Sequence, residues 1–137
     1  MSGAVLITGG AGFIGCRLAS KLLEAGVRLR ILDNLSPQVH GAVPQGLGWL
    51  NSNIDFIRGS VTNRTDWERA LQGVTSIVHL AAETGTGQSM YEIARYNKVN
   101  SQGTALLFDV LATSKVHTVE RIILASSRSV YGEGTYN

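Results

Sequence analysis

Cysteine is almost absent from this 137-residue chain: Cys16 is the only one, so no disulfide within the chain can staple the fold. Proline occurs twice, and low-complexity sequence is missing, which excludes a flexible linker-like polypeptide. Lys and Arg are scattered and the formal net charge is only +2, so no basic stripe for nucleic acid is present. No apolar stretch is long enough to span a bilayer, and the opening MSGAVLITGG has no basic region ahead of an apolar one. The expectation is a soluble cytoplasmic protein that engages neither nucleic acid nor membrane. What the chain does have is apolar residues, at 44%, enough for a core in one domain of ordinary size. It also has 16 glycines, which with no low-complexity tract to sit in are expected at turns.

The apolar pattern alternates between short runs and helical spacing. Ala4 to Ile7 reads as a buried parallel strand. From Phe13 to Ala25, Ile14, Leu18, Leu22 and Ala25 fall on one helical face, and Gly26 is placed to stop the helix. Val27 to Leu32 is a second strand, closed by Asp33-Asn34. Ser36 to Asn53 holds both prolines and reads as mostly loop. Ile54 to Ile57 is a third strand, and Thr62 or Asn63 caps a short helix running to Leu71. Ser76 to Leu80 is a fourth strand. Helical spacing then extends from about Met90 to Ser114, with a break near Asn97 to Ser101, and Arg121 to Ala125 is a fifth strand. Strand, helix and strand in alternation specify an α/β fold: a doubly wound parallel sheet of about five strands with helices on both faces.

The segment ITGGAGFIGCRLA joins the first strand to the first helix. Its glycines Gly9, Gly12 and Gly15 are spaced three apart. A tight turn, a close backbone approach and a helix N-terminus with free N–H donors are what a pyrophosphate needs. The spacing is GxxGxxG rather than GxGxxG, and its strand-turn-helix setting is what gives it weight. Asp33 ends the second strand about 20 residues further on, where an acid accepts hydrogen bonds from an adenosine ribose. A carboxylate there repels a 2′-phosphate, which favours NAD over NADP; its other possible role is to cap the strand.

Taken together, TGGAGFIG, DNLS, HLAA, VNSQGT and SSRSVYG resemble the extended short-chain dehydrogenases/reductases, from one end of the chain to the other. Within them the chain is similar to the NAD-dependent nucleotide-sugar epimerase/dehydratase branch. DNLSPQVHG, AAETGTGQSMYEIARY and ASSRSVYGEG look like its dTDP-L-rhamnose 4-epimerase-like and UDP-glucose 4-epimerase-like members. The resemblance implies a Rossmann cofactor domain over residues 1–137 and a nucleotide-diphosphate sugar as substrate. It implies that Gly9, Gly12, Phe13, Ile14 and Gly15 line the pyrophosphate site and that Asp33 and Asn34 hold the ribose. Ser60 and Val61 would meet adenine, Leu80, Ala81 and Ala82 would pass beside the cofactor, and Asn100 matches a family asparagine. Ser127 matches the active-site Ser or Thr that hydrogen-bonds the reacting sugar oxygen.

Two departures from the family pattern stand out. Ser60 occupies the place of an Asp that contacts adenine. The family's catalytic Tyr-x-x-x-Lys does not occur in these 137 residues, because Tyr131 is followed by Gly132, Glu133, Gly134 and Thr135. The expectation is an N-terminal portion that is inactive alone, with the substrate lobe beyond Asn137. Dehydratases of the family carry Asp-Glu just after the Ser/Thr position, where this chain has Arg128-Ser129; this favours epimerisation. The alternatives are another enzyme on the same scaffold, such as a dehydratase, a reductase or a decarboxylating synthase, and a domain that binds NAD without catalysis.

The other polar residues have plainer readings. His79 reads as a buried packing or hydrogen-bonding residue rather than an acid/base group. His40 and His117 are too isolated to bind metal, so no metal is expected. Cys16 is a small packing residue in the first helical turn, where a thiol can also become more acidic. Glu83, Thr84 and Ser89 lie at the carboxyl end of the fourth strand, where ligands bind in such sheets. Ser89 is readable either as a helix cap or as a ligand contact. The Met90 to Ser114 helix carries Ile93, Tyr96, Val99, Leu106, Phe108 and Leu111 on more than one face, which points to a homodimer through that helix.

Overall fold

The computed structural model describes residues 3–42, 48, 54–114, 117–132 and 134. Five strands, β1 (Ala4–Thr8), β2 (Leu29–Asp33), β3 (Ile54–Arg58), β4 (Val74–His79) and β5 (Arg121–Leu124), form one sheet in the order β3-β2-β1-β4-β5. Every neighbouring pair is parallel. The order turns back at β1, which lies between β2 and β4, and so creates a switch point at its carboxyl end.

Successive residues of each central strand feed opposite faces, as a period of two requires. Leu6, Leu32 and Ile77 join Trp67, Leu107 and Val110 in one core, beneath α3 (Arg64–Ala70) and α6 (Gly103–Thr113). Their neighbours Ile7, Ile31 and Val78 join Ala19 in the other, beneath α1 (Phe13–Glu24). Both faces of the sheet are therefore buried, which is why β1 reads as a continuous apolar run. Trp67 is fully buried and donates its indole N–H to the Val61 carbonyl at 2.7 Å.

The helix ends follow local chemistry. Gly26, with φ of +74°, donates its N–H to the Leu23 carbonyl, and Val27 donates to Leu22. This pair of bonds is a Schellman stop. Asn63 caps α3, its side chain accepting from the Asp66 N–H at 3.2 Å. Arg30 pairs with Asp55 and donates to the carbonyls of Ala70 and Gln72, closing the other end of α3.

Two expectations need correction. The helix expected from Met90 starts instead at Ile93, as α5 (Ile93–Tyr96); a separate turn, α4 (Thr86–Ser89), precedes it. The break expected near Asn97 to Ser101 is no break: Asn97–Gln102 is a wider π-helical segment that carries the helix on into α6. One extra residue per turn absorbs the change in apolar phase that looked like an interruption. In the segment expected to be loop, Pro37–His40 forms a short turn of helix, α2; residues 43–47 and 49–53 lie outside the described residues. Among the described residues no helix is long and apolar enough to cross a membrane.

Candidate functional site

The carboxyl end of β1 leads into the glycine turn. Gly9 has φ of +65°, which a side chain disfavours, and a Cβ there would fall 2.8 Å from the Ala81 nitrogen. A Cβ on Gly15 would lie 2.4 Å from the Gly9 carbonyl oxygen and 2.6 Å from the Gly10 Cα. Both glycines let backbone pack directly on backbone. Gly12 differs: its φ is −73°, and its Cβ would meet only the Gly9 oxygen at 3.3 Å. Space in the fold therefore demands a glycine less at position 12 than at positions 9 and 15. Gly12 is also the N-cap of α1 and offers no side-chain cap. The amides of α1's first turn thus keep their unpaired N–H groups at the positive end of a 12-residue helix. Phe13 and Ile14 beside them are largely exposed, at 82% and 66%. A donor set of bare amides with no side chain over it suits a phosphate and fits a dinucleotide.

Asp33 stands next to this turn. It is buried, and its two carboxylate oxygens accept from the Ala11 N–H at 3.0 Å and the Leu35 N–H at 2.8 Å. The second bond holds Leu35 at φ of +54°, the one described non-glycine residue in the left-handed region. Asp33 therefore shapes the glycine turn as well as standing where a ribose is expected. An ionised carboxylate has about four acceptor positions and these bonds use two, so a ribose hydroxyl still has an acceptor. Asn34 spends its side-chain oxygen on the Ser36 N–H.

Beyond β4, Thr8 ties the two crest strands together. Its hydroxyl oxygen accepts from the Leu80 and Ala81 N–H groups, both at 3.2 Å. Its own proton then goes to His79 Nδ1 at 2.7 Å. This leaves Nε2 as the donor to Thr104 Oγ1 at 3.1 Å, and the Thr104 hydroxyl donates to the Asn100 carbonyl. His79 is buried against the Trp67 ring, and burial holds its pKa below the ordinary value. The expected structural role of His79 is what the geometry has. Asn100 clamps Glu83 from both sides: its side-chain oxygen accepts from the Glu83 N–H at 2.8 Å, and its amide donates to the Glu83 carbonyl at 3.0 Å.

The remaining expected residues are placed as follows. Ser60 follows β3, with its hydroxyl bonded to Thr62 and its N–H donated to Asp66. Val61 turns its side chain into the core. Leu80, Ala81 and Ala82 lie just past β4, and Gly9 abuts Ala81. Ser127 lies just past β5, exposed, and its carbonyl accepts from Val130. Ser89 is not a cap; it closes α4, donating to the Thr86 carbonyl. Cys16 donates its thiol to the Phe13 carbonyl within the first turn of α1.

Comparison with known proteins decides the family. The model of the NAD dependent epimerase/dehydratase family matches residues 5–137. The chain belongs to this family. The cofactor of the NAD dependent epimerase/dehydratase family is NAD, which agrees with the glycine turn and Asp33. A dTDP-L-rhamnose 4-epimerase of Burkholderia thailandensis is 41% identical over 134 residues, covering 96% of this chain and 36% of that protein. The UDP-glucose 4-epimerase of Thermotoga maritima, solved with UDP-glucose, superposes with a TM-score of 0.79 at 30% identity, over 98% of this chain and 41% of that one. MoeE5, solved with UDP-glucuronic acid and NAD, gives a TM-score of 0.76 at 29% identity, over 97% of this chain and 40% of that one. The chain thus spans about two fifths of the length of the relatives it matches.

Sequence reasoning missed a second polar cluster at the same crest. Arg95 donates to Glu92 and Glu83 at 2.8 and 2.9 Å, and to the Gln38 side-chain oxygen at 2.8 Å. Gln38 in turn donates to Gln88 and to the Thr84 carbonyl. The Tyr96 hydroxyl faces the Thr84 and Gly85 carbonyls at 2.9 and 3.2 Å. The hydrogen bond to Glu83 raises the pKa of Arg95, and those from Gln88 and Arg95 lower that of Glu92. Nothing in the sequence signalled the Gln38 contacts, whose partners lie 46 to 57 residues away. A pocket of about 300 Å³, lined in part by Leu71, Val110 and Thr118, lies at the amino ends of β4 and β5, away from this crest.

Proposed function

We propose that residues 1–137 are the cofactor-binding domain of a nucleotide-sugar epimerase that works by oxidation and reduction at a sugar carbon, C4. The observation that carries the reading is the α1 N-terminus: glycine-capped, free of covering side chains and flanked by Asp33. The 41% identity to a dTDP-L-rhamnose 4-epimerase supports the choice of reaction. MoeE5, solved with both UDP-glucuronic acid and NAD, supports a nucleotide-diphosphate sugar as substrate. Arg128-Ser129, where dehydratases of the family carry Asp-Glu, speaks against dehydration.

Bound NAD would supply the site that takes up hydride and returns it. The chain's own residues bind and orient. The α1 amides of Phe13, Ile14 and Gly15 hold the pyrophosphate, and Asp33 accepts the ribose hydroxyls with Asn34 beside it. Leu80 to Ala82 form the floor, set by Thr8. Ser60 and the main chain of Val61, whose side chain is in the core, are the residues assigned to adenine. Asn100 holds the Glu83 loop at the sugar side, and Ser127 donates a hydrogen bond to the reacting oxygen. A serine hydroxyl is no general base near neutral pH without a neighbouring one. These residues include no Tyr-x-x-x-Lys, so the 137-residue chain is expected to bind NAD without turning over. Homodimerisation is proposed through the helix that runs from Ile93 to Thr113, where Ile93 and Phe108 stay 69% and 45% exposed. The proposed location is the cytoplasm.

Calorimetry of the folded chain with NAD and NADP tests the reading, together with a product assay on dTDP- and UDP-sugars. Saturable NAD binding, weaker NADP binding and no epimer are expected. A folded chain that binds no NAD overturns the cofactor reading, and turnover above a blank overturns the reading that these 137 residues lack the general base.

A further inference from the structure

We propose that Arg95 is a positioning residue that straps the cofactor groove shut and sets the rate at which NAD leaves. This inference rests on the cofactor reading above. Its geometry comes from the strand order. α2 follows β2, and the Thr84 loop follows β4, yet β1 lies between those strands. Neighbouring strands are about 4.8 Å apart, so a link from α2 to the post-β4 loop crosses roughly 10 Å over the end of β1. The end of β1 is where Gly9 to Gly12 begin the phosphate turn. A dinucleotide lying on that turn would run under the link.

The link is built from both sides. From α2, Gln38 uses both ends of its amide: the nitrogen donates to Thr84 and Gln88, and the oxygen accepts from Arg95. From the far side, Arg95 joins Gln38 to Glu83, whose side chain is only 12% exposed. Asn100 fixes the Glu83 main chain on both its N–H and its carbonyl. The π-helical turn Asn97–Gln102 carries Asn100, and α5 just before it carries Arg95 and Tyr96. Arg95, itself in α5, thus touches α2 through Gln38 and the post-β4 loop through Glu83. It has no place on the reacting atoms and acts by holding the loop down. Opening the strap requires breaking the Gln38 contacts, while the glycine turn and Asp33 stay as they are.

The test measures NAD dissociation from the 137-residue chain by stopped-flow displacement, with hydrogen exchange at Glu83 to Gly85. Arg95→Ala is expected to speed dissociation about tenfold with association nearly unchanged, because such contacts act mainly on the off-rate. Exchange at Glu83 to Gly85 rises in parallel. Gln38→Ala, an exposed change at the other end of the strap, gives a similar acceleration. The double variant adds little beyond either single one, since both open one link. If Arg95→Ala does not fold, Gln38→Ala alone decides. NAD release unchanged in a folded variant overturns the strap while leaving the cofactor reading intact. A wild-type chain that binds no NAD overturns both, and the wild-type arm tells the two failures apart.

Discussion

Asp33 has two roles in this structure, and replacing it separates them. Asp33→Ala leaves the Ala11 and Leu35 N–H groups without their acceptor in a buried setting. An unsatisfied buried donor costs about 1–3 kcal/mol, so two cost about 2–6. Leu35 adds to this, because its left-handed conformation loses the bond that holds it. Against this, water can enter the emptied space, which favours the low end of the range, about 2–3 kcal/mol. Domains of this kind have about 5–15 kcal/mol to lose. With a urea slope of about 1.5 kcal/mol/M, the unfolding midpoint falls by about 1.3–2 M. Asp33→Asn keeps one oxygen for Leu35, a turn that asparagine tolerates, but sets an N–H₂ against the Ala11 donor. It is expected to cost about 1–3 kcal/mol.

The cofactor side is read on the same two proteins. If the carboxylate also meets a ribose, Asp33→Asn narrows the preference for NAD over NADP in calorimetry, since the repulsion of a 2′-phosphate is gone. Midpoints of both variants within about 0.3 M of wild type would refute the structural argument. A midpoint that drops with an unchanged NAD to NADP ratio would leave Asp33 as a purely structural acceptor.

Gly12→Ala and Gly15→Ala form a contrasting pair. Gly15→Ala drives a Cβ into the Gly9 and Gly10 backbone and is expected to destabilise by about 1–3 kcal/mol, read as a lower melting temperature. Gly12→Ala meets only the Gly9 carbonyl oxygen, at 3.3 Å, and so lowers the melt less than Gly15→Ala, but sets a methyl where the phosphate approaches, so NAD affinity falls; equal affinity would refute the assigned turn. For pH, burial holds the folded pKa of His79 below its unfolded value of about 6.5. Above that value both states are neutral and the contribution to stability is complete; below it the unfolded state gains the proton first, so stability falls as pH drops. Urea midpoints at pH 7.5 and 5.5 measure the slope, which His79→Gln should flatten; identical slopes would refute the relay.

Much of the scaffold was legible because it rests on local rules. Both faces of the sheet are covered, so β1 shows a continuous apolar run and β2 and β4 carry adjacent buried pairs at Ile31-Leu32 and Ile77-Val78, and Gly26 and Asn63 announce helix ends through their own bonding chemistry. The helix from Ile93 was harder to read. Its π turn shifts the apolar phase by a residue, and a one-dimensional pattern shows such a shift as a gap. Tyr96 shows the same limit. It counts as an apolar residue on an extra face, yet its hydroxyl is turned onto the Thr84 and Gly85 carbonyls. The glycine turn could be found by spacing, but spacing treats its three glycines alike. Only the geometry separates Gly9 and Gly15, which the fold needs, from Gly12, which the fold needs less.

That separation bears on how function is argued for this chain. A glycine whose Cβ would strike backbone explains itself by packing and says little about a ligand. Gly12 has less of that explanation: it has ordinary dihedral angles, a Cβ that would meet only the Gly9 carbonyl oxygen, at 3.3 Å, and a helix start that an Asn, Asp or Ser would cap better. A capping side chain there would satisfy the α1 amides and so occupy the donors a phosphate needs. The fold forgoes a few tenths of a kcal/mol of capping at this position, roughly the difference between a glycine and a side-chain cap. A bound anion recovers that stabilisation, so NAD is expected to raise the melting temperature of wild type more than that of Gly12→Ser, whose side chain already serves those amides.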